Sequence, residues 1–411
     1  MTDPAPSPVQ SPAERPALRP APAVTLANAE IVLEDTVVRG ALRLADGRIE
    51  AIDPGRAVPR GAEDCDGQLL IPGLVELHTD NLERHLTPRP GVDWPRPAAV
   101  LAHDGEVAAA GITPVFDALR VGVVTGGARR AAGDRLRYAR ELADSIGALA
   151  TAGLTRVDHR LHIRAELCSD SVLDELAEFA PEDRVAIVSL MDHAPGQRQF
   201  ADLSKWYAYY QGKYGMSDAE MAEHLAYTRD LSERLGPEHE AGATGHARRL
   251  GARLASHDDT TEAHVARSAA LGVGFAEFPT TEEAARACRA TGIAVMMGAP
   301  NVLRGGSHSG NVAAGTLAGA GLLDILSSDY APASLLAGAM RLAGATHDLP
   351  GAIATVSAAP ARAAGLDDRG RLAPGLRADV VRVACHDPAG TTGRGGLGVV
   401  TGVWSAGRRV G

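Results

Sequence analysis

Four segments of this chain run apolar residues straight into a side chain able to hold a metal ion. They are Leu74 to Asp80 (LVELHTD), Ile187 to His193 (IVSLMDH), Leu254 to His257 (LASH) and Leu323 to Asp329 (LDILSSD). An apolar run of about five residues that stops at a polar group reads as a strand buried on both faces, as in a parallel sheet. Several such strands, tens of residues apart and each ending in His or Asp, describe a barrel with its chemistry at the C-terminal rim. His78, Asp80, His193, His257 and Asp329 are therefore expected to converge on one metal site. A single such histidine reads equally well as a hydrogen-bonded core residue. The repetition at strand end after strand end favours a site.

The candidate barrel strands are 74–79, 112–119, 157–167, 185–191, 253–256, 274–278, 293–297 and 323–327. Helical periodicity fills 133–152, 219–235, 262–271 and 282–291 between them. Strands alternating with helices predict βαβ units and an α/β fold of the (β/α)8 type. The barrel is expected over 71–360, with an inserted excursion around 195–250. Residues 1–22 are a Pro/Ala/Ser-rich lead with no apolar face, which predicts disorder. Short runs punctuated by Glu-Asp and Asp-Gly turns over 24–70, and again over 361–411, predict one small β-module built from both chain ends.

Composition excludes several function classes. With 45% hydrophobic and 22% charged residues in 411, the chain can bury a large core. A formal charge of −10 argues against a nucleic-acid or anionic-membrane binder. No apolar stretch is long enough to span a bilayer, and no secretory leader is visible. Cys65, Cys168, Cys288 and Cys385 are scattered without a CxxC pair, so a disulfide framework is not expected and a cytoplasmic location is.

A strand entering Pro72-Gly-x-x-x-x-His78-x-Asp80, the late Asp329 and a closing glycine-bearing element from Gly370 to Val381 resemble the amidohydrolase superfamily. The stretches 78–90, 189–200, 209–214, 255–259, 277–281 and 298–311 further resemble its phosphonate-degradation branch. That resemblance covers about 24–411. It implies metal-dependent hydrolysis of a ribose 1-methylphosphonate 5-triphosphate to the 5-phosphate and pyrophosphate. The more widespread trade of the superfamily, hydrolysis of a cyclic amide or deamination, remains the alternative.

The first motif is His-x-Asp where many relatives have His-x-His. The bridging lysine of many relatives has no counterpart here, because the only lysines, Lys205 and Lys213, lie outside any predicted strand. Glu166, ending the predicted third strand, is expected to take that role, the competing view being a solvent-facing side chain or a pair with Arg164. The expected ligands are thus His78, Asp80, Glu166, His193, His257 and Asp329, holding one or two divalent ions, Zn²⁺ first with Mn²⁺ or Fe²⁺ as alternatives. Asp329 is the expected general base toward a water whose pKa the metal lowers.

A triphosphate needs cations. Arg304, Ser307, His308, Ser309 and Asn311 form a glycine-bearing loop able to cradle phosphate. Arg84 and Arg89, with His85, follow the first ligands, and Arg198 and Lys213 suit a closing lid. His103 and Asp104 read as side chains that support the ligands from behind, as substrate contacts, or as a helix start capped by Asp104. The expected partner is a small phosphorylated sugar phosphonate, with no nucleic acid and no membrane. Homo-oligomerisation is left open.

Overall fold

The computed structural model describes residues 22–124, 137–198, 203–307, 310–386 and 396–411. Two sheets organise the described chain. Eight parallel strands form the first: β6 (Leu74–Thr79), β7 (Ile112–Val121), β8 (Asp158–Glu166), β9 (Val185–Met191), β10 (Arg253–His257), β11 (Phe275–Glu277), β12 (Ala294–Gly298) and β13 (Ile325–Ser327). They neighbour one another in chain order, and a parallel bridge from Thr79 to Asp329 brings the last strand's end back to the first. The result is a nearly closed α/β barrel.

Strands this short and apolar are stable because both faces are covered. Outside pack α2 (Arg96–Ala109), α3 (Ala139–Thr151), α6 (Asp218–Leu250), α7 (Glu262–Leu271), α8 (Glu282–Thr291) and α11 (Ser334–Thr346). Helices α7 and α8 start on Thr261 and Thr281, whose hydroxyls accept from the amides of His264 and Ala284, and both end on left-handed glycines, Gly272 and Gly292. Inside, Val75, Leu77, Phe116, Ile187, Ala255, Phe275, Met296 and Ile325 fill the middle of the barrel.

The excursion after β9 is helical. It contains α5 (Leu203–Tyr214) and the long α6, which continues to Leu250 with Pro237 inside it, beyond the stretch that periodicity marked. Ser217 and Glu220 form its capping box. The sequence expectation stopped near 235 because a glycine and Pro237 interrupt the pattern there. Packing of Ala243, Ala247 and Leu250 into the main core carries the helix through.

The second sheet comes from both chain ends. Its strands are β1 (Val24–Val32), β2 (Val37–Ala45), β3 (Arg48–Pro54), β4 (Glu63–Asp64), β5 (Leu69–Pro72), β14 (Val380–His386), β15 (Leu397–Ser405) and β16 (Arg408–Arg409). Along the path β16-β15-β14-β5-β1-β2-β3, β5 pairs with β14, so the early and late halves meet at the centre. Residues 1–21, the bulk of the predicted lead, lie outside the described residues.

Candidate metal centre at the barrel rim

Glu277, the last residue of β11, is fully buried and gathers three histidines. His257 Nδ1 hydrogen-bonds its Oε2 at 2.9 Å, and Ser189 Oγ donates to the same oxygen at 2.6 Å. On the other oxygen, His78 Nδ1 lies 3.2 Å away and His162 Nε2 3.4 Å. Burial alone would raise this carboxyl, but the His78 charge and the hydrogen bond from His257 hold it well below the usual carboxylate range.

The His162 ring has one assignable tautomer. Its Nδ1 lies 2.7 Å from the carbonyl of Leu77, which can only accept, so Nδ1 carries the proton and Nε2 is a bare lone pair. Burial keeps the ring neutral, with its pKa lowered to about 3. Two acceptors, His162 Nε2 and Glu277 Oε1, therefore face each other with no proton between them. Both are buried without a hydrogen-bond partner, as are His78 Nδ1 and Asp258 Oδ2. Buried acceptors left facing each other, as His162 Nε2 and Glu277 Oε1 are, cost free energy unless a cation satisfies them. The donor set of imidazole and carboxylate suits a borderline divalent ion.

Two ligand groups can be read here, each with its polar atoms within 4.8 Å: His78, His257 and Glu277, and His193, His257 and Asp258. They share His257, whose Nε2 is 3.3 Å from Asp258 Oδ2. Glu166 hydrogen-bonds the His193 ring through Oε2 and takes the His193 amide at 3.1 Å through Oε1. The pairing with Arg164 considered for Glu166 is not what the fold makes; Arg164 instead meets Asp80 Oδ2 at 3.2 Å.

Asp329 closes the ring. Thr79 Oγ1 donates to its carbonyl at 2.6 Å, and its own amide donates to Ser327 Oγ at 3.2 Å. Burial and the Asp80 charge push its carboxyl up to about 6, against the pull of His78 and Arg164. Below it, Glu76 accepts from the amides of His78 (2.7 Å) and Ser328 (2.5 Å), tying first and last strands together. Asp258, Phe278 and Asp329 follow β10, β11 and β13 with φ of 55°, 55° and 54°. Non-glycine residues rarely adopt this conformation, and its repetition around one rim marks strain held at a functional site.

The fold thus brings His78, Asp80, Glu166, His193, His257 and Asp329 to one rim, and adds Glu277, His162, Asp258, Arg164 and Glu76. The expected substrate cations divide. Arg304 is the exposed last residue of α9 (Ala299–Arg304), with Ser307 and Asn311 half-buried beyond it. His308 and Ser309 lie outside the described residues, and so does the side chain of Lys213 on α5. Arg84 and His85 are engaged by Glu106, at 2.5 Å and 2.8 Å. Arg89 is exposed. Arg198 Nη1 donates to Asp259 at 2.6 Å and to the His257 carbonyl at 2.7 Å, so it braces a ligand-bearing loop.

His103 and Asp104 are neither a helix start nor a lining of the rim. Both sit within α2, fully buried, on the outer side of the barrel. His103 Nε2 meets Asp117 at 2.9 Å, and His159 bridges Asp117 (2.8 Å) and Asp104 (3.2 Å). Although these groups have metal-type donors, the contacts satisfy one another, and Asn81 Nδ2 donates to His103 Nδ1 at 3.0 Å.

Comparison with known proteins agrees with this architecture. No family model matches the chain. It is 47% identical over 357 residues to the alpha-D-ribose 1-methylphosphonate 5-triphosphate diphosphatase of Escherichia coli K12, covering 86% of this chain and 93% of that protein. The chain belongs to that enzyme's family. It is a hydrolase. Among solved structures, an N-acetyl-D-glucosamine-6-phosphate deacetylase of Mycobacterium smegmatis aligns with a TM-score of 0.59 at 17% identity, covering 94% of this chain and all (100%) of that one. The N-isopropylammelide isopropylaminohydrolase of Burkholderia multivorans aligns with a TM-score of 0.59 at 19% identity, covering 94% and 97%. These two likenesses establish the fold and leave the chemistry to the residues.

Proposed function

We propose that this protein hydrolyses the phosphoric anhydride of an alpha-D-ribose 1-methylphosphonate 5-triphosphate, giving the 5-phosphate and pyrophosphate in phosphonate catabolism. The observation that carries the reading is the 47% identity to a diphosphatase over nearly the whole chain. The orphaned acceptors at the rim support the cofactor. His78, His193, His257, Glu277 and Asp258 would hold one or two divalent ions, with Asp80, Glu166 and Asp329 beside them. Such ions supply positive charge that acidifies water and neutralises phosphoryl oxygens; zinc is favoured, with manganese or iron as alternatives.

The protein's own groups do the rest. Asp329 takes the proton of the attacking water as its oxygen bonds the α-phosphorus. The bond from that phosphorus to the bridging oxygen breaks, and pyrophosphate leaves with the electron pair. Arg164, a half-buried side chain whose buried Nε has no hydrogen-bond partner, stands beside Asp80 and can orient a phosphoryl oxygen. Arg304 at the end of α9 serves the outer phosphates.

Hydrolysis in ¹⁸O-labelled water, with metal analysis of the same preparation, tests the reading. Label in the ribosyl monophosphate together with released pyrophosphate is the expected result. Label in pyrophosphate would move the attack to the β-phosphorus. Absence of pyrophosphate release, with turnover of a cyclic amide or amine, would replace the reading with the commoner superfamily chemistry.

A further inference from the structure

The barrel interior is layered. His78, His162, His257 and Glu277 occupy the C-terminal rim, and the apolar layer around Phe116, Phe275 and Met296 lies beneath them. Polar groups return at the opposite end, where the strands begin. Arg160 on β8, Arg184 just before β9 and Arg253 at the start of β10 line a cleft of about 580 Å³. Alternation along β8 accounts for the change of character, because Arg160, His162 and Arg164 share one face of the strand. Phe116 pairs in register with Arg160, and its ring lies 6.0 Å from that guanidinium.

Charges in this cleft do not balance. Asp158 takes Arg184 at 2.5 Å, Arg369 at 3.1 Å and Arg160 at 3.2 Å. Asp368 also engages Arg369, at 2.8 Å, while Asp379, 3.6 Å from Arg369, is already held by Arg377 at 2.9 Å. No carboxylate pairs with Arg253 among the described residues. Arg160, Arg184 and Arg369 therefore share Asp158 and Asp368, and Arg253 stands beside them as a fourth guanidinium, in a chain whose net charge is −10. Burial, with the Arg369 and Arg184 charges, holds Arg160 below its ordinary value in spite of Asp158. At the cleft wall Gly365 has φ +70°, and a Cβ there would stand 2.8 Å from Arg253 Nη2, so this glycine leaves the guanidinium its place.

We propose that this arginine-lined cleft binds a phosphate-type oxyanion, separately from the rim centre. Guanidinium forks match phosphate oxygens in pairs, and an anion supplies the charge that the two aspartates do not. The volume suits one small ligand. Free phosphate or pyrophosphate and the phosphoryl group of a nucleotide offer the same chemistry.

Calorimetric titration of the full-length protein as purified, and again with chelator present, tests this with inorganic phosphate, pyrophosphate and AMP as probes. Binding that persists with chelator, and that Arg253→Gln and Arg184→Gln each weaken by about ten-fold or more, is expected. Arg253→Gln breaks no ion pair among the described residues, so its Tm should match the parent and the loss can be read even if Arg184→Gln unfolds. Arg253→Lys, which keeps the charge without the fork, should bind between parent and Arg253→Gln. Tighter binding of AMP than of pyrophosphate assigns the cleft to a carried phosphoryl group, and the reverse order assigns it to the free anion; either order supports the proposal. Binding that vanishes with chelator yet survives both glutamine substitutions would place the anion at the rim and overturn it, as would absence of binding to the parent.

Discussion

Asp329 sits where the seam between first and last strands meets the proposed chemistry. Its backbone is held by Thr79 and Ser327, and its carboxyl is kept from ready ionisation by burial and by Asp80. Replacing it with Asn preserves shape and removes the proton acceptor. Pyrophosphate release by Asp329→Asn should fall in kcat by about 10²–10⁴, and a rate within a few-fold of the parent would end its role as base. Arg304 makes the complementary case. It carries the only charge of its short helix and is exposed at its end, available to the outer phosphates. Arg304→Ala should lower kcat/KM on the triphosphate by about ten- to hundred-fold, the worth of a charge-assisted contact, with metal content unchanged. Equal loss on a diphosphate analogue would move Arg304 to the phosphates both substrates share. At this scale the sequence marked ligands at strand ends and passed over Glu277, next to the end of a predicted strand, because nothing in that strand's own pattern shows that histidines of other strands meet it. His162 and Arg164 carried no signal of their own, since only knowing which face of β8 points inward separates them from His159.

Between elements, the buried network of His103, Asp117, His159 and Asp104 fastens α2 to β7 and β8. Burial would lower His159, yet Asp117 and Asp104 raise it to about 10, while Asp117 itself is drawn down to about 2 by the two histidines despite burial. A raised histidine contributes stability that is complete below the ordinary 6.5 and lost as pH rises toward about 10. A depressed aspartate contributes above the ordinary 3.8 and loses its share as pH falls toward about 2. Urea unfolding should therefore show this network contributing most between the two ordinary values. Asp117→Asn should cost about 3–5 kcal/mol near pH 6, as breaking a buried pair does, with the parent's lead shrinking as pH rises toward 10. A lead that stays constant over that range would mean His159 is neutral when folded. The sequence placed the strands of this region within a few residues and left His103 and Asp104 open between a role near the site and a helix start. Helix α2 runs through them because its Val100 and Val107 pack on the barrel.

Over the whole molecule, the terminal sheet and the barrel are joined at Gly73, between β5 and β6. Its amide donates to the Asp379 carbonyl at 2.8 Å, and a Cβ there would lie 2.2 Å from Thr113 Oγ1 and 2.9 Å from Asp379 Cβ. Gly73→Ala would drive a methyl group between the two sheets and should destabilise by about 1–3 kcal/mol, read as a lower urea midpoint. An unchanged midpoint would show that the joint yields without cost. Among the described residues no helix is long and apolar enough to cross a membrane, in line with the apolar runs being strand-length.

The eight barrel strands, their order and the convergence of His78, His193, His257 and Asp329 were legible in the sequence. A strand covered on both faces must be apolar until it reaches the rim, so the chain itself records where each strand ends. Partners inside the barrel were not legible, because they depend on which strands stand opposite one another. Glu277 meets His78 from five strands away, and Arg160, Arg184 and Arg253 crowd one cleft only after β8, β9 and β10 align. Charge balance is decided there too. It is a sum over neighbours in space, and a sequence with net charge −10 gives no sign that three arginines will share two aspartates, with a fourth beside them, at one end of its barrel.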